Sequence, residues 1–574
     1  MGSLESHLQI ELQALKFGTS GRRGLVRAMP QLEIYLNARA EIEYLQGLDR
    51  QVGGIVPGEE FFFAADLRPS SVSYMEEFEG NGALAQAVAQ AIRDAGMQPV
   101  FLGFLPTPAL TSFAIARGRG SIMVTGSHIP FDRNGYKTNT SRGELLKCHE
   151  EPIGRAVEQM RRRLLEEDFA LSRFDEQGLL KGRSLELPPV DDRARIEYLK
   201  RYQEFFADDS LKGLRVVCYQ HSAVGRDLLV EALGALGAEV LPMGRSESFV
   251  PIDTEAIDAA CLAGMNQLVA EATAQHGPID ALLSTDGDSD RPLVLGVDSK
   301  GVAHFVSGDR LGMVVAGFLG ADAVVVPISC NDAIDRGALA AILEPKTRIG
   351  SPYVIAGMEV AMAKGKRQVC GWEANGGFLT ASEFIRKGHK LSALATRDAL
   401  LPILSILVHA REEGVGLCEL FDRLPQRLSQ AALLRQFPRP TAQRILGALS
   451  PEQAGIRQAI FTGAGIEARD AQGTLIALTA AGAESLGQIR ARLASFFTAG
   501  QGFCAIGRID YTDGVRIYFT NGDVAHIRPS GNADELRIYA VADTAARASA
   551  IAAAGVEEPD GILRRMESEL GRAQ

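Results

Sequence analysis

Cysteine is scarce and unpatterned: Cys148, Cys218, Cys261, Cys330, Cys370, Cys418 and Cys504 are the only seven in 574 residues, an odd total with no C-x-x-C pair. That scatter excludes a disulfide framework and points to reduced thiols in a cytoplasmic protein. Long apolar runs are also missing. The longest, Leu311 to Cys330, is broken by Asp322 and Pro327, so no membrane span is expected, and no basic-then-apolar leader opens the chain. Positive charge is in deficit, with 60 Lys+Arg against 71 Asp+Glu and a net charge of -11. This disfavours non-specific nucleic-acid binding, and an anionic substrate would need a site built from local arginines and lysines. Obvious repeats are absent, which leaves room for structurally similar units that have diverged. What is present, 46% hydrophobic and 23% charged residues, is the composition of a globular protein with space for roughly four domains.

Strand and helix patterns alternate for most of the length. Phe61 to Ala65 reads as a strand, Leu84, Val88 and Ile92 recur at helical spacing before Gly96, and Pro99 to Leu102 resumes as a strand. The same rhythm returns at Leu214 to Tyr219, Asp227 to Leu236 and Glu239 to Leu241, then from Leu311 through Val324 to Ile328. The charge-rich stretch from Arg142 to about Pro189 reads as a domain end plus linker. Beyond Pro438 the style changes, and Asn521-Gly522 signals a hairpin between alternating strands. The expected fold is α/β: three similar mixed α/β domains, residues 1–190, 191–305 and 306–430, plus a smaller α+β domain, 431–574.

Candidate chemistry begins where Ser121 to Val124, a short buried strand, stops at Thr125-Gly126-Ser127-His128. Active-site loops of α/β domains gather at strand ends. Gly126 lets the backbone turn, while Pro130 and Asn134-Gly135 are expected to keep the segment irregular and its side chains displayed. Lys137 offers a cation that a phosphoserine at 127 would need. Alone, the motif fits a plain surface loop with an ordinary serine better than a reactive site.

The second segment is Thr285-Asp-Gly-Asp-Ser-Asp-Arg291. In an extended chain Asp286, Asp288 and Asp290 project to one side and converge, and three carboxylates at one point call for a hard cation such as Mg²⁺ or Ca²⁺. An EF-hand does not fit, because its sixth position would be Arg291 and its twelfth Val297. Arg291 lies beside the cluster and would stabilise transferred negative charge. A third segment, Arg528-Pro-Ser530-Gly531-Asn532, with Arg537 in the next strand, suits a phosphate cradle. A fourth, Gly371-Trp-Glu373-Ala-Asn375-Gly-Gly377, puts a carboxylate and an amide at a strand end, acceptors suited to vicinal sugar hydroxyls, although alone it reads more readily as a structural glycine turn.

Taken in chain order, the four segments resemble the signatures of the α-D-phosphohexomutase family, in its phosphomannomutase/phosphoglucomutase branch. Phe17-Gly-Thr-Ser-Gly-Arg-Arg-Gly24 looks like the family's N-terminal phosphate-contacting stretch, and Asp66-Leu-Arg-Pro-Ser-Ser71 like the segment after its first strand. The resemblance implies domains around one deep cleft and a phosphorylated Ser127. That group would pass to a hexose monophosphate, giving a bound 1,6-bisphosphate that turns over and returns its other phosphate. It further implies Mg²⁺ on Asp286, Asp288 and Asp290 with Ser127, and a sugar 1,6-bisphosphate activator. Arg23 and Arg291 would supply charge, and Lys137 ahead of His128 proton transfer. Glu373 and Asn375, with Gly350 and Ser351 of Arg348-Ile-Gly-Ser351, would contact sugar; Arg528, Ser530, Gly531, Asn532 and Arg537 would grip phosphate.

The sugar loop departs from the common pattern, with Asn375 and Gly377 where relatives often have Ser and His, and Ser351 stands where phosphomannomutases often show His. The Thr-Gly-Ser-His, Glu-Ala-Asn-Gly-Gly and Arg-Pro-Ser-Gly-Asn forms look most like bacterial phosphomannomutases. Phosphoglucomutase or a dual-specificity enzyme is the alternative, since the two sugars differ at one hydroxyl. A non-catalytic phosphoserine sensor or a sugar phosphatase is a more distant one. Partners are then small hexose phosphates, without nucleic acid or membrane, for a monomer or homodimer.

Overall fold

The computed structural model describes every residue except 1, 19, 183–185, 256, 530–533 and 572–574. It divides into two compact units, residues 1–323 with 351–421, and residues 324–350 with 422–574.

The first sheet of the larger unit contains β1 (Arg22–Leu25), β2 (Glu60–Ala65), β3 (Gln98–Phe104), β4 (Ser121–Val124), β5 (Arg133–Thr140) and β6 (Gly143–Glu144). Its order is β1-β5-β4-β2-β3, with β6 on β5. The strands β3, β2 and β4 are parallel, and β5 then runs back antiparallel to β4. Both faces are covered, which is why Phe61-Phe-Phe-Ala-Ala65 is apolar throughout rather than alternating. Phe61, Phe63 and Ala65 join a core with the helices Gln31–Gln46 and Leu84–Asp94, while Phe62 meets Phe113 of the helix Thr107–Ala116 edge-on.

Two expectations fail here. Asn134 and Gly135 do not keep their segment irregular: both are buried inside β5, where Gly135 pairs with Arg23 and a Cβ would lie 1.9 Å from the Arg22 carbonyl. The charge-rich stretch after Arg142 is not only linker. It contains the helix Glu150–Leu165, whose Ile153, Val157, Met160 and Leu164 recur at helical spacing and enter the same core.

A second sheet repeats the plan with β7 (Arg215–His221), β8 (Glu239–Arg245), β9 (Ala281–Thr285), β10 (Pro292–Val297) and β11 (Ala303–Val306), in the order β11-β10-β9-β7-β8. Again the parallel strands β8, β7 and β9 give way to an antiparallel β10. Farther along, the strands Val369–Trp372 and Phe378–Thr380 form an antiparallel hairpin whose second strand pairs with Leu394–Asp398.

The smaller unit is built on an eight-stranded antiparallel sheet. The Asn521-Gly522 turn joins Val515–Phe519 to Val524–Pro529 as the sequence predicts, with Gly522 at φ 89°. The region from 438 to 500 is integral to this unit, supplying the helices Arg439–Ala448 and Ala480–Phe496 and three strands. Ile517, Ile527 and Ile538 share one hydrophobic core with Leu486 and Leu493. Among the described residues no helix is long and apolar enough to cross a membrane.

Candidate active site

The serine loop begins where β2 and β4 end side by side, Ala65 in register with Val124. Asp66 Oδ2 accepts the Thr125 hydroxyl at 2.7 Å and the Gly126 N–H at 3.2 Å, and the same Thr125 oxygen accepts the Ser127 N–H at 2.7 Å. These bonds hold Ser127 at φ 55°, a left-handed conformation unusual for serine and one that needs such over-determination. Arg68 closes the loop from beneath. Its buried guanidinium donates to the carbonyls of Ser127 (2.9 Å), Pro130 (2.8 Å), Arg133 (2.9 Å) and Ile129, and stacks on Phe249 at 3.8 Å. Gly126 lies against it so closely that a Cβ would come within 2.5 Å of Arg68 Nε. The side chain expected on a displayed loop is therefore packed, with Ser127 only 4% exposed.

Ser127 Oγ donates to Asp286 Oδ2 at 2.7 Å and lies 3.4 Å from His128 Nδ1. The acidic loop joins β9 to antiparallel β10, and it is a turn, not the extended chain expected from the spacing, with Ser289 at φ 56°. Asp286 Oδ1 accepts the backbone N–H groups of Asp290 and Arg291, each at 3.2 Å, which curls the loop so that its carboxylates converge. Ligand oxygens of Asp286, Asp288 and Asp290 all lie within 4.8 Å of one another, and all three residues are buried. Gly287 is needed because a Cβ there would sit 2.6 Å from the Ser127 carbonyl oxygen.

Cations compensate the cluster. Lys137 Nζ donates to Asp288 Oδ2 at 2.5 Å and Asp290 Oδ2 at 2.6 Å, and Thr107 Oγ1 adds a bond to Asp288 Oδ2 at 2.5 Å. Arg291 Nε stands 3.8 Å from Asp286 Oδ2 and 3.6 Å from Asp290 Oδ1. Strand alternation puts Arg23, opposite Gly135, on the same face as Lys137. Arg23 Nη1 bonds the carbonyls of Arg22 (2.8 Å) and Tyr136 (3.1 Å), and burial, against the pull of Asp288, lowers its pKa to about 10. The opposite face of these strands is tied to the helix Gln31–Gln46, where Glu41 accepts from Arg22 (2.6 Å), Tyr136 (3.1 Å) and Thr138 (2.5 Å).

Burial, then the neighbouring Asp288 and Asp290, push the Asp286 carboxyl well above the usual range. For Asp288 burial acts in the same sense but is outweighed by Lys137 and Thr107, which hold the carboxyl low; Arg397 chiefly does the same for Asp290. His128 is kept neutral, its pKa lowered to about 2 by the charge of Arg291 and by burial. The donor set fits a hard divalent cation. Asp288 Oδ1 and Asp290 Oδ1 are buried oxygens without a hydrogen-bond partner, and beside them lie Asp286 and the Ser127 hydroxyl.

The other expected residues divide. Glu373 is buried in the hairpin turn after Val369–Trp372, with Oε2 2.9 Å from Arg397 Nη1. Asn375 shapes that turn rather than opening from it, its Oδ1 accepting the Gly377 N–H at 3.0 Å. Ser351 opens the helix Ser351–Ala363 and donates to Glu144 Oε2 at 2.5 Å, not to a residue of the acidic cluster. Gly350, at φ 129°, belongs to the smaller unit. So do Arg528 and Arg537, which are cross-strand partners; Arg528 Nε lies 3.7 Å from Asp513 Oδ1, and Arg537 pairs with Glu535 at 2.7 Å. Ser530, Gly531 and Asn532 lie outside the described residues.

Sequence reasoning overlooked three positions. Arg68 falls within the quoted Asp66–Ser71 segment, where a lone arginine between an aspartate and a proline was the available signal. Thr107 precedes Pro108 at a helix start, and Arg397 sits in a strand reached only by tertiary pairing, so neither carried a local signal.

Comparison with known proteins identifies the family. Residues 14–163 match phosphoglucomutase/phosphomannomutase alpha/beta/alpha domain I, residues 307–428 match alpha/beta/alpha domain III, and residues 479–558 match the C-terminal domain of the same family. A phosphomannomutase of Sinorhizobium fredii is 36% identical, the match covering 94% of this chain and 98% of that protein. A phosphomannomutase of Salmonella muenchen is 34% identical, covering 98% of each. In fold, the chain is similar to a phosphoglucomutase/phosphomannomutase family protein of Burkholderia thailandensis, with a TM-score of 0.60, 16% identity and coverage of 99% of this chain and 98% of that one. The chain belongs to the α-D-phosphohexomutase family.

Proposed function

We propose that this phosphohexomutase is a phosphomannomutase, interconverting mannose 1-phosphate and mannose 6-phosphate through phospho-Ser127 and a bound 1,6-bisphosphate. The observation that carries the reading is the Ser127 hydroxyl, 2.7 Å from Asp286, whose carboxylate cluster includes two buried oxygens that accept no hydrogen bond. The names of the relatives from Sinorhizobium fredii and Salmonella muenchen, similar over nearly their full lengths, support mannose as the sugar.

Asp286, Asp288, Asp290 and the serine oxygen would hold Mg²⁺, whose charge, when bound, offsets that of the phosphoryl group. The protein's own residues position and compensate. In the forward half-reaction the bond between Ser127 Oγ and phosphorus breaks, and a new phosphorus–oxygen bond forms to the free sugar hydroxyl. As the released Ser127 oxygen gains a proton the hydroxyl loses one, and we assign this relay to Lys137, which gives Oγ a proton from its ammonium and takes the hydroxyl's proton in return; the ammonium lies between two carboxylates at 2.5 and 2.6 Å. His128, neutral and 3.4 Å from Oγ, orients the serine. Arg23 and Arg291 stabilise the equatorial oxygens during transfer. Glu373 accepts from sugar hydroxyls, and in the smaller unit Arg528 and Arg537, with residues 530–532, are the phosphate-binding set. Turning the bisphosphate end over end and running the same chemistry in reverse gives the isomer and restores phospho-Ser127. None of the seven cysteines is joined in a disulfide, in keeping with a cytoplasmic enzyme.

Purified protein with Mg²⁺, a trace of the matching 1,6-bisphosphate and either mannose 1-phosphate or glucose 1-phosphate tests this. Formation of 6-phosphate, faster from mannose 1-phosphate, is expected. A faster rate on glucose 1-phosphate would reassign the sugar, and free phosphate without 6-phosphate would replace the mutase by a phosphatase.

A further inference from the structure

Two loops of different chemistry, one acidic and one carrying Glu373, are joined by one guanidinium. Arg397 directs Nε (3.1 Å) and Nη2 (2.9 Å) to Asp290 Oδ2, and Nη1 (2.9 Å) to Glu373 Oε2. Its side chain is 3% exposed, so these contacts are shielded from competing water. Because the fork is planar and permanently charged, it can hold two carboxylates in a fixed mutual orientation, which a lysine ammonium cannot.

The position of Arg397 is itself fixed from both sides. In its strand, Leu394–Asp398, the neighbours Thr396 and Asp398 point to the opposite face. There Thr396 Oγ1 donates to Glu144 Oε1 at 2.7 Å, while Asp398 accepts the hydroxyls of Tyr198 (2.6 Å) and Tyr202. On its own face, Gly377 leaves room for the arginine stem: a Cβ there would lie 2.6 Å from Cδ and 2.7 Å from Cγ of Arg397. One oxygen of Asp290 is thus engaged by Arg397 and Lys137, and its other oxygen, Oδ1, is buried and accepts no hydrogen bond, with Arg291 Nε 3.6 Å away.

We propose that Arg397 is a positioning residue that couples cation binding at Asp286, Asp288 and Asp290 to sugar capture at Glu373; this rests on the mutase reading above. Drawing Asp290 Oδ1 toward a cation sets the plane of that carboxylate, the plane sets the guanidinium on Oδ2, and the guanidinium sets Glu373. Linkage makes the effect reciprocal, so sugar phosphate tightens the cation by the same factor.

The test uses Mn²⁺ binding, read by its electron paramagnetic resonance signal, with and without mannose 1-phosphate. Full-length Ser127→Ala serves as the background that cannot turn over. Mannose 1-phosphate is expected to tighten Mn²⁺ by about tenfold in that background, within the usual range for coupled sites. Adding Arg397→Met should reduce the factor to less than about twofold. Arg397→Lys, which keeps the charge and so the fold if the methionine variant proves unstable, should also stay below about threefold for want of a fork. Tenfold coupling retained in the lysine variant, or in a folded methionine variant, would overturn the inference and leave Arg397 a charge-neutralising residue. Hexose phosphate that binds the Ser127→Ala chain without affecting Mn²⁺ would overturn it equally. Failure of hexose phosphate to bind at all would instead overturn the mutase reading, and the coupling with it.

Discussion

The first two sheets of the larger unit each turn from the last parallel strand into an antiparallel one, and the proposed chemistry sits in that turn: between β4 and β5 for Ser127, between β9 and β10 for the aspartates. The equivalent places are held in different ways. The serine loop takes its order from outside, through Asp66 at the end of β2 and a guanidinium that gathers four carbonyls. The acidic loop is curled largely by its own first residue, Asp286, which accepts two backbone N–H groups with one oxygen and the serine with the other. A loop that must present one reacting hydroxyl can be clamped from beneath because its other side chains are not needed. A loop whose carboxylates are themselves the site must be shaped by main-chain bonds that leave oxygens open.

Changes that separate the two loops sharpen this contrast. The largest effect is expected from Ser127→Ala, which removes the carried group but neither clamp: turnover should fall on the order of 10⁵-fold. Metal binding should weaken, because the serine oxygen is one of the proposed ligands, while the melting temperature should hardly move; a melting temperature lowered as far as in Arg68→Met would show that the hydroxyl helps to fold the loop. Arg68→Met should come next, costing about 3–5 kcal/mol in denaturant unfolding because Asp66 is left buried without its cation, and lowering kcat about 100-fold through misplacement of Ser127. Its Mn²⁺ affinity should stay within about twofold of the parent, and a parallel loss would erase the distinction between the loops.

Gly287→Ala cuts across the comparison, since its Cβ would meet the serine loop's carbonyl at 2.6 Å and not its own loop. About 1–3 kcal/mol of stability should be lost, with kcat reduced more than metal affinity. Equal reductions would place the collision within the acidic loop. Glu373→Gln should raise KM for the sugar phosphate about tenfold by weakening charge-assisted hydrogen bonds, with a smaller change in kcat.

The smallest effect is one of pH. His221, whose Nε2 is 2.9 Å from the Thr285 carbonyl under the acidic loop, has its pKa lowered to about 4 by burial. Burial and the charge of Arg516 lower that of His526, in the smaller unit, to about 3. Both folded values lie below the unfolded one of about 6.5, so the unfolded chain binds protons first. Their contribution is therefore complete above about pH 6.5 and declines on acidification, by about 2 kcal/mol per histidine at pH 5. His221→Gln should flatten the decline in a denaturation series across that range, and an unchanged slope would remove His221 from the account.

What the sequence revealed depended on how local the cause was. Ser121 to Val124 is a strand, its end carries Ser127, and Asn521-Gly522 makes the hairpin turn, because each signal is contained in a few consecutive residues. The aspartates converge as expected but by a different route: spacing suggested an extended chain, and the turn comes from bonds of Asp286 to amides four and five residues on. Asn134-Gly135 misled because a turn dipeptide can also serve inside a strand, where the asparagine donates to Ser70 and Ser71 and the glycine admits the Arg22 carbonyl. The helix Glu150–Leu165 was obscured by charges on its exposed faces. Arg397 was invisible for a deeper reason, since its partners lie 107 and 24 residues away and only the assembled sheets bring them together.

The central claim is that Ser127 carries the phosphoryl group. Its most direct test is to load the protein with mannose 1,6-bisphosphate labelled with radioactive phosphate, isolate it, locate the label by peptide mapping, and then add unlabelled mannose 6-phosphate with Mg²⁺. One labelled phosphate on Ser127 that passes into sugar bisphosphate at a rate no slower than turnover is the expected result. A chain that turns over fully while Ser127 stays unlabelled, or whose label remains on the protein through many turnovers, would contradict it.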